Sequence, residues 1–138
     1  MTTKPKGTII EQIYAKDGAA GVAFEGALFS FASQSIEGYN GGHWTTDVEK
    51  PALMCIRSDK RVKLTGRDNG SESKTDMRTA TAAVFVLALN RAIWFYHEQG
   101  NDELARFFDK LWRKAQNAWQ RGGKKAGLDF DAMYSFLD

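Results

Sequence analysis

The residues whose types and spacing could best do chemistry lie in one short stretch, EGYNGGHW, at positions 37–44. The stretch combines three glycines with an asparagine, two aromatic side chains and His43, one of only two histidines in the chain. An imidazole within glycine-rich backbone is compatible with a catalytic loop, a phosphate-binding loop or a tight turn between two elements. The sequence around the stretch argues against the phosphate-binding loop.

The known phosphate-binding patterns are not met. A P-loop needs GxxxxGK[ST], and a dinucleotide fold needs GxGxxG between a strand and a helix, whereas the predicted order here is helix, glycines, strand. We therefore interpret the stretch either as a tight turn with positive φ at its glycines or as a recognition surface. The candidate partner-binding residues are Tyr39, Asn40, Gly41, Gly42, His43 and Trp44.

The remaining reactive side chains do not form a catalytic or metal-binding pattern. His97 stands in YHEQGND, which lacks the HExxH spacing of a zinc site, and we expect it to lie at a helix C-terminus. Cys55 is the only cysteine, so it excludes an intramolecular disulfide and is expected to be a small buried residue on a strand. No GxSxG elbow marks a nucleophile. We expect no metal, no cofactor and no enzymatic activity, and an enzyme with His43 beside a carboxylate is a minor hypothesis.

Basic residues cluster in two segments, 57–67 and 106–125. Such clusters are typical either of solvated faces of strands and helices or of a surface that contacts phosphates. Trp112 and Trp119 are seven positions apart and are expected on the core side of their helix, not as stacking platforms for bases. The candidate nucleic-acid contacts are Arg57, Lys60, Arg61, Lys63, Arg67, Arg113 and Lys114.

The length of 138 residues predicts one domain, and the composition is that of a soluble globular protein, with 43% hydrophobic and 26% charged residues. The longest apolar run, 82–89, is too short to span a bilayer, and no signal-peptide core follows the first residues. We expect a cytoplasmic protein with a flexible N-terminal tail at 1–7 and a single domain at 8–138.

Hydrophobic periodicity predicts the helices that position these residues. Apolar residues repeat with helical spacing over 23–37, and Gly38 then suits a helix C-terminus. A long central helix is predicted from an N-cap at Thr75 or Asp76 to about Gln99, and another from the cap at Asn101 to about 121. A short final helix fits 128–137, while 8–20 is compatible with a helix or a strand.

Three segments between the first and central helices have the character of strands: 44–48, 52–58 and 61–65. Their short connections predict an antiparallel meander, and residues 66–75 are predicted to be a loop by composition. The predicted fold class is α+β, a single compact domain with about four helices packed on a small three-stranded antiparallel sheet.

The segment that leads into the glycine-rich stretch resembles the ArdB/KlcA anti-restriction proteins. Here a helix carrying Phe24, Leu28 and Phe31 leads into Ile36, Gly38 and YNGGHW, and the family carries Y-[NH]-G-G-[YF]-W after its first helix. Residues 80–94 (ATAAVFVLALNRAIW) are similar to the family's alanine-rich central helix, and 133–138 resembles its short apolar C-terminal helix. The family's second glycine pair, in an S-N-G-G-F-[FY]-M-x-P hairpin, is replaced here by 45–54 (TTDVEKPALM), so the chain resembles a divergent member.

The resemblance implies a compact α+β fold with an antiparallel sheet and no established catalytic residues. It also implies a protein of plasmids, phages or genomic islands that relieves type I restriction in the bacterial cytoplasm. The expected partner is a protein component of a host defence system, with a type I restriction-modification complex as the candidate, and the expected state is a monomer or small homo-oligomer.

The charge constrains how such inhibition works. A net charge of +2 does not permit mimicry of DNA, which needs dense negative charge. Inhibition would therefore act through protein contacts or indirectly. The alternative function is a nucleic-acid-binding accessory protein that uses the basic segments 57–67 and 106–125.

Overall fold

The computed structural model describes residues 8–66 and 69–138, and within them it contains five helices and two separate two-stranded antiparallel sheets. The predicted α+β class is confirmed, whereas the predicted three-stranded sheet is wrong. The predicted tail at 1–7 and the candidate contact Arg67 lie outside the described residues. The helices are α1 Ile9–Lys16, α2 Gly18–Ser35, α3 Met77–Glu98, α4 Asp102–Gln120 and α5 Phe130–Leu137, and the strands are β1 Trp44–Thr46, β2 Met54–Ile56, β3 Arg61–Thr65 and β4 Glu72–Asp76.

The first two helices are set by their caps. Thr8 and Glu11 form a reciprocal capping box, in which the Thr8 hydroxyl accepts from the Glu11 amide at 3.1 Å, so the ambiguous segment 8–20 is helical. Asp17 ends α1 and caps α2 by accepting from the Ala20 amide at 2.9 Å. Because Asp17 is an effective N-cap, α2 begins five residues before the predicted start at 23.

The boundaries of α3 and α4 agree closely with the prediction. The Asp76 carboxylate caps α3 through the Thr79 amide at 2.7 Å, and the Asn101 side chain caps α4 through the Leu104 amide at 3.1 Å. Between the two helices Gly100 has φ of 75°, a conformation that favours glycine. Strong polar caps and a glycine stop signal therefore specify both helices locally.

Strand β4 was predicted to be loop, and that prediction is wrong. Glu72–Asp76 pairs with β3 along its full length, with Val62 opposite Thr75 and Leu64 opposite Ser73. The segment has no apolar residue, but Thr75 is fully buried and its hydroxyl donates to Asp129 at 2.9 Å. Backbone pairing and one buried hydroxyl thus replace the hydrophobic alternation by which a strand is usually recognised.

The two sheets remain separate because the edges that would join them have other partners. On β2, the Ile56 amide donates to the Thr81 hydroxyl of α3 at 2.8 Å. On β3, the free edge is occupied by the segment after α2, where Ile36 bridges Leu64 and the Glu37 amide donates to the Lys63 carbonyl at 3.0 Å. The chain thereby places the end of α2, and the turn that follows it, directly against β3.

Helix α3 lies at the centre of the core, and its N-terminal half is buried on nearly all faces. Phe108 of α4 is fully buried and stacks on Phe24 of α2 at 5.8 Å and on Tyr96 of α3 at 5.6 Å. Phe24 also meets Phe85 edge-on at 6.0 Å. This aromatic cluster joins α2, α3 and α4, while the strands pack on the other end of α3.

Candidate functional site

The turn at 37–44, which we call the YNGGHW turn, depends on glycine backbone. Gly38, Gly41 and Gly42 have φ of 76°, 97° and 155°, values that other residues rarely adopt. A Cβ added to Gly42 would lie 2.8 Å from Cδ1 of Ile56, so the turn backbone packs closely on β2. The predicted positive φ at the glycines is confirmed.

The two aromatic side chains hold the turn against the core. Trp44 is the first residue of β1, is only 8% exposed and donates from Nε1 to the hydroxyl of half-buried Tyr39 at 3.1 Å. An indole hydrogen-bonded inside the core is typical of a structural anchor. Among the candidate contact residues, Trp44 therefore supports the turn and offers little surface to a partner.

The turn exposes three polar side chains, those of Glu37, Asn40 and His43. They lie on either side of Gly41 and Gly42, whose conformations fix the direction of the chain. Because the turn is closed by the Tyr39–Trp44 hydrogen bond, its backbone is pre-organised, which lowers the entropy cost of binding a partner. This arrangement is well suited to recognition.

A shallow polar groove of about 260 Å³ adjoins the turn, between the C-terminal end of α2 and β3. It is lined by Tyr39, Gly38, Ser35 and Lys63 among others. Ser35 is 1% exposed, and its hydroxyl has no hydrogen-bond partner among the described residues. A buried hydroxyl without a partner is unfavourable, but the Ser35 oxygen is covered by its surroundings and is not accessible to a molecule in the groove.

Replacing Gly41 with alanine should lower the free energy of unfolding by about 1–3 kcal/mol, because a Cβ is strained at its φ of 97°. The space around Gly41 is open, so the expected loss comes from backbone strain and not from a clash. The matched control is Gly26→Ala at an exposed position inside α2, which should raise the stability by about 0.5–1 kcal/mol. Urea denaturation of both variants measures the difference, and equal effects would contradict the assigned turn conformation.

A second cluster, which sequence reasoning missed, is centred on Asp47 after β1. This carboxylate is 1% exposed and forms a two-point ion pair with Arg78 of α3, Oδ1 to Nε at 2.7 Å and Oδ2 to Nη2 at 3.0 Å. The Lys50 amide donates to it at 2.8 Å, the Arg57 guanidinium lies at 3.3 Å, and the Cys55 thiol donates at 3.4 Å. The Asp47 cluster therefore ties the β1–β2 connection to the start of α3.

The rim of the cluster is more exposed. Glu49, whose side chain is 51% exposed, accepts from Arg78 Nη2 at 3.0 Å, and Arg78 Nη1 donates to the Ala126 carbonyl at 2.9 Å. Four of the five N–H donors of Arg78 are thus engaged by carboxylates and backbone, and its side chain is only 13% exposed. The cluster therefore has the character of a structural tie.

The surroundings of Asp47 and Cys55 shift the pKa values of both side chains. Burial by itself would raise the pKa of Asp47, but hydrogen bonds from Arg78 and from the Lys50 amide outweigh burial, so the pKa lies below its usual value of 3.8. Burial, reinforced by the Asp47 charge, raises the pKa of the Cys55 thiol to about 12. Cys55 is therefore a protonated, buried strand residue, as predicted, and unreactive as a nucleophile.

The lowered pKa of Asp47 predicts acid-sensitive folding. A carboxylate whose pKa is lower in the folded state stabilises the fold above its unfolded pKa, and that contribution is lost as the pH falls through the folded value. The free energy of unfolding should therefore decrease below about pH 4 more steeply in the wild type than in Asp47→Asn. Urea denaturation between about pH 7 and pH 2 checks this. Parallel pH profiles would show that Asp47 does not carry the effect.

The structure engages most of the candidate nucleic-acid contacts in interactions within the protein. The pairs are Arg57 with Asp47 at 3.3 Å, Arg61 with the Lys74 carbonyl at 3.1 Å, Lys63 with Glu72 at 3.5 Å, and Arg113 with Asp109 at 2.7 Å. Lys60 and Lys114 are exposed, and neither forms an ion pair within residues 8–66 and 69–138. The basic segments therefore do not form one continuous, unpaired basic face among the described residues.

The groove beside the first turn of α3, about 550 Å³ in volume, is lined by Arg57, Arg61 and Arg78. Helix N-termini commonly bind anions through free amides. Here the Met77 amide donates to the Lys60 carbonyl at 2.8 Å and the Arg78 amide donates to the Ser58 carbonyl at 3.1 Å. These amides are already used, so the groove does not have the free donors of a phosphate site.

Comparison with known proteins adds no relative. No family model matches the chain, and no curated protein matches it. The likeness to the ArdB/KlcA proteins therefore rests on the residues of the YNGGHW turn and the helices around it.

Two other features bear on the sequence predictions. Among the described residues no group of three or more His, Cys, Asp or Glu side chains could hold a metal ion. Helix α3 is long and apolar enough to cross a membrane by length and composition, with mean hydropathy 1.3, but its most apolar part is 56% buried inside the protein. The core helix of a soluble protein has the same properties, so the absence of a membrane span stays a prediction.

Proposed function

We propose that this protein is a non-enzymatic anti-restriction protein that protects incoming DNA by contacting a protein component of a host restriction system. The observation that carries the proposal is the YNGGHW turn, which is closed on itself and exposes Asn40 and His43 beside a polar groove. The resemblance of this turn and its flanking helices to the ArdB/KlcA proteins supplies the kind of target, a type I restriction-modification complex.

The electrostatics favour a protein target over DNA. The chain has a net charge of +2, so it lacks the dense negative charge that a DNA mimic would need. Most of the candidate basic contacts are engaged within the protein, as for Arg57 with Asp47 and Arg113 with Asp109. Contact through a rigid polar turn requires neither a basic nor an acidic surface.

The proposal is tested by the efficiency of plating of unmodified phage on a host with an active type I restriction system. Expression of the protein should raise plating toward the value for modified phage, and the double variant Asn40→Ala with His43→Ala should reduce that relief. The matched control is Asn117→Ala with Gln120→Ala, two exposed changes on α4 that should leave the relief intact. Absence of relief by the folded wild-type protein would reject the proposed function.

The alternative, a nucleic-acid-binding accessory protein, makes a different prediction. Its remaining exposed cations include Lys60 and Lys114, and a phosphate-dominated interaction would weaken steeply as salt increases. A gel-shift titration at low salt with duplex and single-stranded DNA tests it. A salt-sensitive shift that Lys60→Ala with Lys114→Ala abolishes would favour the alternative, and an unshifted band would reject it.

A further inference from the structure

The chain contains two Asn-Gly pairs, and the structure places their reactive atoms in different surroundings. The pairs are Asn40–Gly41 in the YNGGHW turn and Asn69–Gly70 before β4. In such a pair the side-chain amide carbon of asparagine lies within reach of the glycine amide nitrogen, and the missing Cβ leaves that nitrogen open to approach. Attack by this nitrogen is the first step of deamidation, which makes asparagine a thermolabile residue.

At Asn40–Gly41 both reacting groups are exposed. Within the described part of the chain, neither residue forms a hydrogen bond with another residue. Apart from the chain neighbours of Gly41, no heavy atom lies within 4 Å of the position that a Cβ on this residue would occupy. The hydrogen bond between Tyr39 and Trp44 fixes the ends of the turn, whereas the Asn40 side chain can rotate toward the Gly41 nitrogen.

At Asn69–Gly70 the same two groups are held by hydrogen bonds. The side-chain nitrogen of Asn69 donates to the main-chain oxygens of Ser135 at 2.9 Å and Asp138 at 3.3 Å. The Gly70 amide donates to the Gly66 carbonyl at 3.0 Å. These bonds hold the asparagine side chain against the end of α5 and direct the glycine amide to another acceptor. Attack at this pair therefore requires several hydrogen bonds to break.

We propose that Asn40 is a site of spontaneous deamidation in the folded protein. The Gly41 amide nitrogen loses its proton and attacks the side-chain amide carbon of Asn40, and ammonia leaves as the bond from that carbon to the side-chain nitrogen breaks. The product is a cyclic imide. Water opens this ring at the side-chain carbonyl to give aspartate, or at the main-chain carbonyl to give isoaspartate. The net reaction consumes water and releases ammonia in equal amounts, without an oxidant, a reductant or an enzyme.

Either product changes the surface of the YNGGHW turn. A carboxylate replaces the neutral amide, so the turn then exposes this carboxylate together with that of Glu37. Isoaspartate also adds a carbon atom to the main chain between Tyr39 and Trp44, whose hydrogen bond closes the turn. Because Asn40 is a contact residue in the proposed function, its modification should weaken the contact with the restriction system. This consequence rests on the proposed function, whereas the deamidation itself does not.

Peptide mass spectrometry of the purified full chain, sampled at successive times during incubation at mildly alkaline pH, tests the proposal. Each deamidation raises the mass of a peptide by the difference between a hydroxyl and an amino group. Asn40 should be modified at least about ten-fold faster than Asn69, because the hydrogen bonds at Asn69 must break before attack. The rate at Asn40 should increase with pH, since the attacking nitrogen must lose its proton.

The matched control is the same measurement in urea at a concentration that unfolds the chain. Unfolding removes the hydrogen bonds of Asn69, so the two Asn-Gly pairs should then react at similar rates. Asn40→Gln should abolish modification at position 40, because the larger ring closes much more slowly, and should leave the rate at Asn69 unchanged. Equal rates at Asn40 and Asn69 in the folded protein, or an Asn40 that reacts only after unfolding, would overturn the proposal. Lack of plating relief would reject the proposed function alone.

Discussion

Asp47→Ala is expected to lower the free energy of unfolding by about 3–5 kcal/mol, the cost of removing one partner from a buried ion pair. Arg78, whose side chain is 13% exposed, would lose both of its short contacts to the Asp47 carboxylate. The Lys50 amide and the Cys55 thiol would lose the same acceptor. The change therefore leaves a buried cation and other donors without their partner, while the volume removed is small.

Urea denaturation at neutral pH measures this effect, and Glu49→Ala is the matched control. Glu49 contacts the same Arg78 at 3.0 Å, but its side chain is 51% exposed. An exposed ion pair contributes only about 0–1 kcal/mol. The expected order is thus a large loss for Asp47→Ala and a small one for Glu49→Ala. A loss below about 1 kcal/mol for Asp47→Ala would contradict the structural role of the Asp47 cluster.

Phe108→Ala should also lower the free energy of unfolding by about 3–5 kcal/mol. Phe108 is fully buried and stacks between Phe24 and Tyr96, so its removal leaves a cavity where α2, α3 and α4 meet. Rings on both sides are held by separate helices, which limits how far the site can collapse to fill the space. The loss in the free energy of unfolding should therefore be well above the free energy of transferring the phenylalanine ring from water to an apolar environment.

The matched control for this change is Phe29→Ala on the surface of α2. Phe29 is 42% exposed, so the same atoms are removed with much less loss of buried contact. A change of about 1 kcal/mol or less is expected for it. Similar losses for the two variants in urea denaturation would show that the aromatic cluster does not join the three helices as described.

The sequence predicts those parts of the fold that depend on local signals. Asp76 and Asn101 are polar caps followed by periodic apolar residues, and both helices begin where these caps predict. The glycines of the YNGGHW turn predict positive φ because few other residues adopt it, and Gly38, Gly41 and Gly42 all do. The YNGGHW turn could be chosen as a candidate site for the same reason, because the residues that mark it are consecutive in the sequence.

The parts that were missed depend on contacts between distant segments. Strand β4 has no apolar residue, and its pairing with β3 becomes visible only once Thr75 is seen to be buried. Asp47 and Arg78 are 31 positions apart, and an isolated aspartate in TTDVEKP has the character of a turn residue. Likewise Arg57 is a candidate for phosphate contact in the sequence because its partner Asp47 lies in another segment, whereas the pair of Arg113 with Asp109 is local to one helix and could have been recognised from the sequence.

Affinity capture from restricting bacteria tests the central claim most directly. Tagged wild-type protein and the Asn40→Ala with His43→Ala variant are used in parallel, with and without nuclease treatment of the lysate. The account predicts that restriction subunits are retained by the wild type, that nuclease does not reduce their recovery, and that the double variant retains much less. Recovery of DNA alone, or equal recovery of the subunits by both proteins, would contradict a contact made by the YNGGHW turn.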